Sequence, residues 1–152
     1  MNGKFTVRKA KEKDIVLLQN MIKGLAAYEK RPQDMTASPE NLQYWLFEKK
    51  IATALIAQYN DEVIGYAIYY PVFGSFAAEG GVHLEDLFLC EEYRHGGLGK
   101  KFFSQIEEFV KLDGYGQIEW SCLDWNTPSI RFYEQIGAVQ ENGRRYFSYI
   151  CK

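Results

Sequence analysis

The stretch YRHGGLGKKFF (residues 93–103) places three glycines within four positions and then turns basic and apolar. Directly before it, VHLEDLFLC (82–90) reads as a strand, and from Leu98 to Leu112 the residues Leu98, Phe102, Ile106 and Phe109 recur at helical spacing. A bare backbone at a strand-to-helix turn leaves the first N–H groups of the helix uncovered at the positive end of its dipole, so an anion can rest against them. Phosphate is the usual guest, although the same glycines would equally serve a tight connection. Two phosphate motifs are excluded. A Walker A loop needs glycine where Arg94 stands and Ser or Thr where Lys101 stands. The dinucleotide fingerprint needs a third glycine where Phe102 stands.

Outward from this turn the elements alternate. KFTVRKA (4–10) is a strand, and Ile15, Leu18, Ile22 and Leu25 mark a helix that ends near YEKRP, where Pro32 stops it. Ser38 before Pro39 is an N-cap for a second, short helix whose apolar face is Leu42, Trp45 and Leu46. IATALIAQY (51–59) and EVIGYAIYYPVF (62–73) form a hairpin about Asn60-Asp61, and FGSFAAEGG is a small-residue loop. After the glycine-rich turn and its helix, GQIEWSCL (116–123) is a strand and NTPSIRFYEQIG (126–137) a helix that opens with Asn and closes at Gly. Asn142-Gly143 signals a type I′ hairpin within residues 138–151. The order β α α β β β α β α β β is an α+β chain with one strand–turn–helix unit near its middle.

At 152 residues a single domain over 1–152 is expected, burying about two thirds of the surface of the unfolded chain. Net charge of −2 and scattered Lys and Arg exclude the basic footprint of a nucleic-acid binder. The first residues lack the apolar region of a signal peptide and no run reaches membrane-spanning length, so a cytoplasmic protein with no membrane partner is expected. Cys90, Cys122 and Cys151 show no paired spacing, and His83 and His95 belong to no metal-ligand motif, so neither a disulfide framework nor a metal site is expected. A Cys90–His83 nucleophilic pair is improbable, because seven residues along one strand put the two on opposite faces.

Arg94-His95-Gly96-Gly97-Leu98-Gly99 matches R-x-x-G-x-G and resembles the coenzyme A pyrophosphate loop of the GNAT N-acetyltransferases. The stretch Asn126, Ser129, Phe132, Tyr133, Gly137, Ala138 resembles a later motif of the same superfamily. The strings YEK (28–30), LEDLFL (84–89) and WNTPSIRFY (125–133) look like the diamine and polyamine (spermidine/spermine) and thialysine N-acetyltransferase branch. The resemblance covers Lys4 to Ile150. It implies a mixed, mostly antiparallel sheet of about seven strands flanked by about four helices, acetyl-CoA as cosubstrate, a small-molecule amine as acceptor, and a homodimer.

Roles follow from the same resemblance. Backbone N–H groups from His95 to Lys100 would cradle the pyrophosphate, with Arg94 and Lys100 adding charge at the rim. Strand N–H groups at Leu87, Phe88 and Leu89 would align the pantetheine arm, and Tyr133 would be general acid toward the departing sulfur. Asn126, a good helix N-cap in its own right, and Ser129 would contact the coenzyme. Tyr28, Glu29, Glu85 and Asp86 would line the site of a cationic amine, with Glu85 as proton acceptor. Strand alternation turns Glu85 and Asp86 to opposite faces, so at most one is expected in a given pocket, with Asp86 as a structural acceptor. The chain departs from the animal polyamine enzymes between Ala138 and Gly143, where an acidic contact would fall on Glu141 or Asn142. Arg144 or Arg145, if turned inward, would favour a substrate bearing a carboxylate as well as an amine. The competing expectations are a protein or peptide N-acetyltransferase, which needs an open groove, and a non-catalytic coenzyme A-binding module. A nucleotide-binding domain would instead respond to ATP.

Overall fold

In the computed structural model, which describes residues 3–151, five strands form one sheet in chain order. They are β1 (Phe5–Lys9), β2 (Thr53–Tyr59), β3 (Glu62–Gly74), β4 (Glu79–Leu89) and β5 (Ile118–Glu119). The first four pair antiparallel and β5 runs parallel to β4. Four helices accompany them: α1 (Ile15–Tyr28), α2 (Pro39–Leu42, continued as a π-helical turn over Gln43–Glu48), α3 (Leu98–Leu112) and α4 (Thr127–Gln135). The fold is α+β, as the pattern of elements predicts. The chain divides into two units, Met1–Trp120 with the whole sheet and α1 to α3, and Ser121–Lys152 with α4.

Period-two alternation builds the core of the first unit on both sides of the sheet. Leu55, Ala57, Ala67, Tyr69, Val82 and Leu84 pack with Leu98, Phe102, Ile106 and Val110 of α3. Ala54, Ile56, Tyr66 and Ile68 pack with Leu18 and Met21 of α1. Each well-buried apolar side chain contributes about 1.5–3 kcal/mol relative to exposure. A parallel return from β4 to β5 requires a crossover, and α3 supplies it, so the glycine-rich turn sits where β4 ends.

Several local readings hold. Asn60 and Asp61 both take positive φ (48° and 68°), as a type I′ turn demands. Ser38 caps α2 by accepting from the Asn41 N–H, with Pro39 following. Helix α3 spans Leu98–Leu112 as expected.

Other expectations are corrected. Helix α1 ends at Tyr28, in YEKRP as expected, but Pro32 is not what stops it: Lys30 adopts φ 60° and the Arg31 N–H returns to the Ala26 carbonyl (2.8 Å), a Schellman-type stop. The π-helical turn after α2 rotates Trp45 out of the apolar face, leaving it 49% exposed, while Leu46 stays inward. FGSFAAEGG is no loop: β3 and β4 pair as far as Gly74 and Glu79, leaving only residues 75–78 as the turn. The strand expected over 116–123 contracts to Ile118–Glu119. Five strands replace the expected seven, since no strand forms among the described residues beyond β5. Gly143 has the positive φ of a turn but Asn142 does not, and Val139, Tyr146, Phe147, Tyr149 and Ile150 are all more than four-fifths exposed. A lone two-stranded hairpin with no face to bury is marginal in water.

Candidate active site

The glycine-rich turn delivers what its composition promises. His95 and Gly97 both take positive φ (61° and 78°), and Gly97 is the N-cap of α3 without any side-chain cap. A Cβ on Gly97 would meet nothing within 4 Å, so the position demands glycine for its backbone angle and not for room. Helical bonding starts with the Lys101 N–H donating to the Gly97 carbonyl (3.2 Å), which leaves the Leu98, Gly99 and Lys100 N–H groups without an intrahelical acceptor. Uncapped donors, a left-handed entry and the dipole of a fifteen-residue helix suit a pyrophosphate.

Arg94, at the mouth of this turn, folds back toward the strand. Its Nε donates to the Leu89 carbonyl (2.9 Å), and its guanidinium lies over the Tyr28 ring at 4.6 Å and the Phe88 ring at 5.5 Å. The expected phosphate contact and the expected amine-site residue Tyr28 are thus neighbours. Phe88 in turn packs so closely on α1 that a Cβ on Gly24 would lie 3.1 Å from its ring. The Schellman stop of α1 sets Tyr28 and Glu29 in the last turn, beside this contact.

Strand β4 carries a bulge at the decisive place. Asp86 pairs with Ile68 and Leu84 with Tyr69, so Glu85 has no partner on β3. Two residues on β4 then oppose one bond of β3, and alternation is broken. The expectation that Glu85 and Asp86 face opposite ways is therefore wrong: both turn to the α1 side. Asp86 accepts from the hydroxyl of Tyr66 (3.0 Å), a member of the α1-side core. Glu85 stands 3.8 Å from His83, whose ring stacks on Tyr70 at 5.1 Å on that same side. The bulge also brings Cys90 to the α1 side with His83, but seven strand residues keep the two about 20 Å apart, so they still form no pair.

The carboxylates influence one another. Burial pushes the Asp86 carboxyl up to about 6; the Tyr66 hydrogen bond opposes the shift, and the charges of Glu85 and Glu29 add to it. Tyr66 itself is held well above the usual phenol range by burial and then by Asp86. Glu29 and Glu85 thus lie near enough to Asp86 for their charges to act on it, an acidic cluster at the bulge, while Tyr28 stands under the Arg94 guanidinium. Beyond His83 no ladder joins β4 to β5, so among the described residues no strand pairs with the edge of β4 along Leu87, Phe88 and Leu89 on that side. Among the described residues no group of three His, Cys, Asp or Glu could hold a metal, and no helix is long and apolar enough to cross a membrane.

The second unit holds the other expected residues on one helix. Asn126 is buried and caps α4, its side chain accepting from the Ser129 N–H (3.4 Å). Tyr133 is half-buried, one turn beyond Ser129, with its ring 5.5 Å from that of Phe132. Arg144 lies 3.7 Å from Glu141, both exposed. Tyr66 and His83 are the site neighbours that sequence reading misses. A tyrosine amid an apolar strand reads as core, and only the pairing of β3 with β4 brings Asp86 to it.

The model of the acetyltransferase (GNAT) family matches residues 18–138. The chain belongs to the GNAT acetyltransferase family. Members use acetyl-CoA as cosubstrate, and the uncapped start of α3 fits its pyrophosphate. Over 81 residues the chain is 43% identical to the L-ornithine N5-acetyltransferase of Arabidopsis thaliana, a match covering 52% of this chain and only about a third (35%) of that protein. It is 30% identical over 141 residues to the thialysine N-epsilon-acetyltransferase of Sus scrofa, covering 87% of this chain and 82% of the relative. An aminoglycoside acetyltransferase from an uncultured soil metagenomic sample shares the GNAT fold at a TM-score of 0.80 and 17% identity, over 97% of both chains.

Proposed function

We propose that this GNAT chain transfers an acetyl group from acetyl-CoA to the primary amine of a small cationic substrate, a lysine-like amino acid of the thialysine or ornithine kind or a diamine or polyamine. The observation that carries the reading is the bulge at Glu85, which turns Glu85 and Asp86 to one side with Glu29, next to the Tyr28–Arg94 contact that leads into the glycine-rich turn. A cluster of carboxylates selects an ammonium group. The names of the thialysine and ornithine relatives support the amino-acid arm of this reading.

Acetyl-CoA supplies the acetyl group as an activated thioester. The Leu98, Gly99 and Lys100 N–H groups hold its pyrophosphate, Lys100 adds charge, and Asn126 and Ser129 contact the arm. A strand N–H among Leu87, Phe88 and Leu89 steadies the charge that develops on the carbonyl oxygen. Glu85 accepts the proton that the ammonium must lose before its nitrogen can attack, and Tyr133 donates one to the departing sulfur and is restored by the second proton that the nitrogen sheds as the amide forms. The family match runs across the boundary between the two units, which supports one catalytic domain over 1–152. The protein works in the cytoplasm as a homodimer, with no membrane or nucleic-acid partner. The test is thiol release from acetyl-CoA with thialysine, ornithine, lysine, putrescine, spermidine, an aminoglycoside and a short peptide. Turnover with amino-acid amines or polyamines is expected; turnover confined to the peptide, or to none of them, would overturn the reading.

A further inference from the structure

His83 belongs to none of the roles described so far, yet its surroundings are those of a working residue. Its ring stacks on Tyr70 of β3 (5.1 Å, 23° between planes), which fixes the imidazole plane. Nε2 stands 3.8 Å from Glu85 Oε2, and Nδ1 stands 3.6 Å from Glu119 Oε1 on β5. The imidazole is largely buried, 14% exposed, whereas Glu85 and Glu119 are about half exposed (55% and 50%). The more enclosed partner is therefore the ring, and a small rotation of either half-exposed carboxylate would bring it within hydrogen-bond reach. The titratable groups facing the ring are Glu85 and, from the adjoining strands, Glu119 and the Tyr70 phenol.

We propose that His83 is a positioning and proton-relay residue behind Glu85, carrying the proton of the substrate ammonium from Glu85 through the imidazole to Glu119 and solvent. The inference rests on the reading of Glu85 as proton acceptor. Glu85 takes the proton from the ammonium and leaves a neutral amine. Nε2 of the neutral ring then takes that proton from the Glu85 carboxyl, which restores the carboxylate and makes an imidazolium between two carboxylates. The Nδ1 proton leaves to Glu119 and from there to water, and one proton exchange with solvent resets the tautomer. No group is oxidised or reduced, and the net result is transfer of one proton from substrate to solvent. Two ring nitrogens, each nearest a different carboxylate, are what such a path requires.

The decisive variant is His83→Phe, which keeps an aromatic ring on Tyr70 and removes the proton carrier. Its kcat/KM for the amine is expected to fall about tenfold or more near neutral pH, less than the roughly 10²–10⁴-fold typical of a group that transfers the substrate proton directly, because the relay acts behind Glu85. The loss should shrink as pH rises toward the amine pKa of about 10, where the substrate arrives already deprotonated. Glu119→Gln should show the same pH-dependent pattern in smaller measure. In both variants stabilisation by acetyl-CoA should match the wild type, which shows that the fold is intact. A merely structural histidine would lower the rate equally at every pH. That uniform loss, or an unchanged profile in His83→Phe while the wild type acetylates amines, would overturn the relay and leave the proposed function standing. A wild-type protein that acetylates no amine would overturn the function and the relay with it.

Discussion

Tyr133 and Asp86 carry the sharpest tests at the scale of single side chains. If the Tyr133 hydroxyl protonates the departing thiolate, Tyr133→Phe should lower kcat about a hundredfold or more while acetyl-CoA affinity, read by titration calorimetry, stays nearly unchanged. Equal turnover in the two proteins would remove the hydroxyl from the chemistry. Asp86 tests the cost of the acidic site. Its folded carboxyl titrates near 6, above its ordinary value, because burial disfavours the charge. The folded state thus holds a proton that the unfolded chain has already released, and stability declines as pH rises from about 4 to about 6. Asp86→Asn keeps an oxygen for the Tyr66 hydroxyl and removes that penalty. It should raise stability at pH 7 by up to about 3 kcal/mol and flatten the decline, as measured by urea unfolding at pH 4 and pH 7. An unchanged difference between the two pH values would mean that Asp86 is not the group responsible.

Elements contribute through backbone angles and close approaches. Gly97 opens α3 in the left-handed region with open space where a side chain would go. Gly97→Ala should therefore cost about 1–2 kcal/mol from conformation alone, and acetyl-CoA binding should weaken as the turn relaxes. Retained stability and retained binding together would show that the turn tolerates another backbone path. Gly65 is the opposite case. A Cβ there would collide with the Phe88 carbonyl and with Leu89, in the part of β4 that follows the bulge. Gly65→Ala should destabilise the protein by about 1–3 kcal/mol, seen as a lower urea midpoint, since two paired strands must separate to admit one methyl. The two substitutions are chemically identical, but the local backbone angle sets the cost at Gly97 and tertiary neighbours set it at Gly65.

For the molecule as a whole, ligand linkage tests the family assignment in solution. Acetyl-CoA at a hundred times its dissociation constant should stabilise the folded protein by about 2.7 kcal/mol, a plain rise in Tm, whereas ATP should produce none. A rise with ATP and none with acetyl-CoA would remove the coenzyme from the site. Much of this was legible in the residues. The glycine-rich turn, the extent of α3, the Ser38 and Asn126 caps and the Asn60-Asp61 turn all depend on interactions within a few residues, and so the sequence read alone determined them. Likeness to a family put Tyr28, Glu29, Glu85 and Asp86 forward as an amine site, but with at most one of Glu85 and Asp86 in a given pocket. What the sequence could not determine is where a strand breaks its alternation. The bulge at Glu85 exists because β3 and β4 meet in a register set by packing against α1 and α3, and that register turns two carboxylates to one side. The same non-local pairing brings Tyr66 to Asp86 and His83 between Glu85 and Glu119, residues that are distant or unremarkable in the chain. It also left the Asn142-Gly143 signal without strands, because a turn preference persists only where its flanking residues find a surface to bury. Short-range bonds are written in neighbouring residues, while register, bulges and burial are settled only when distant segments compete for the same core.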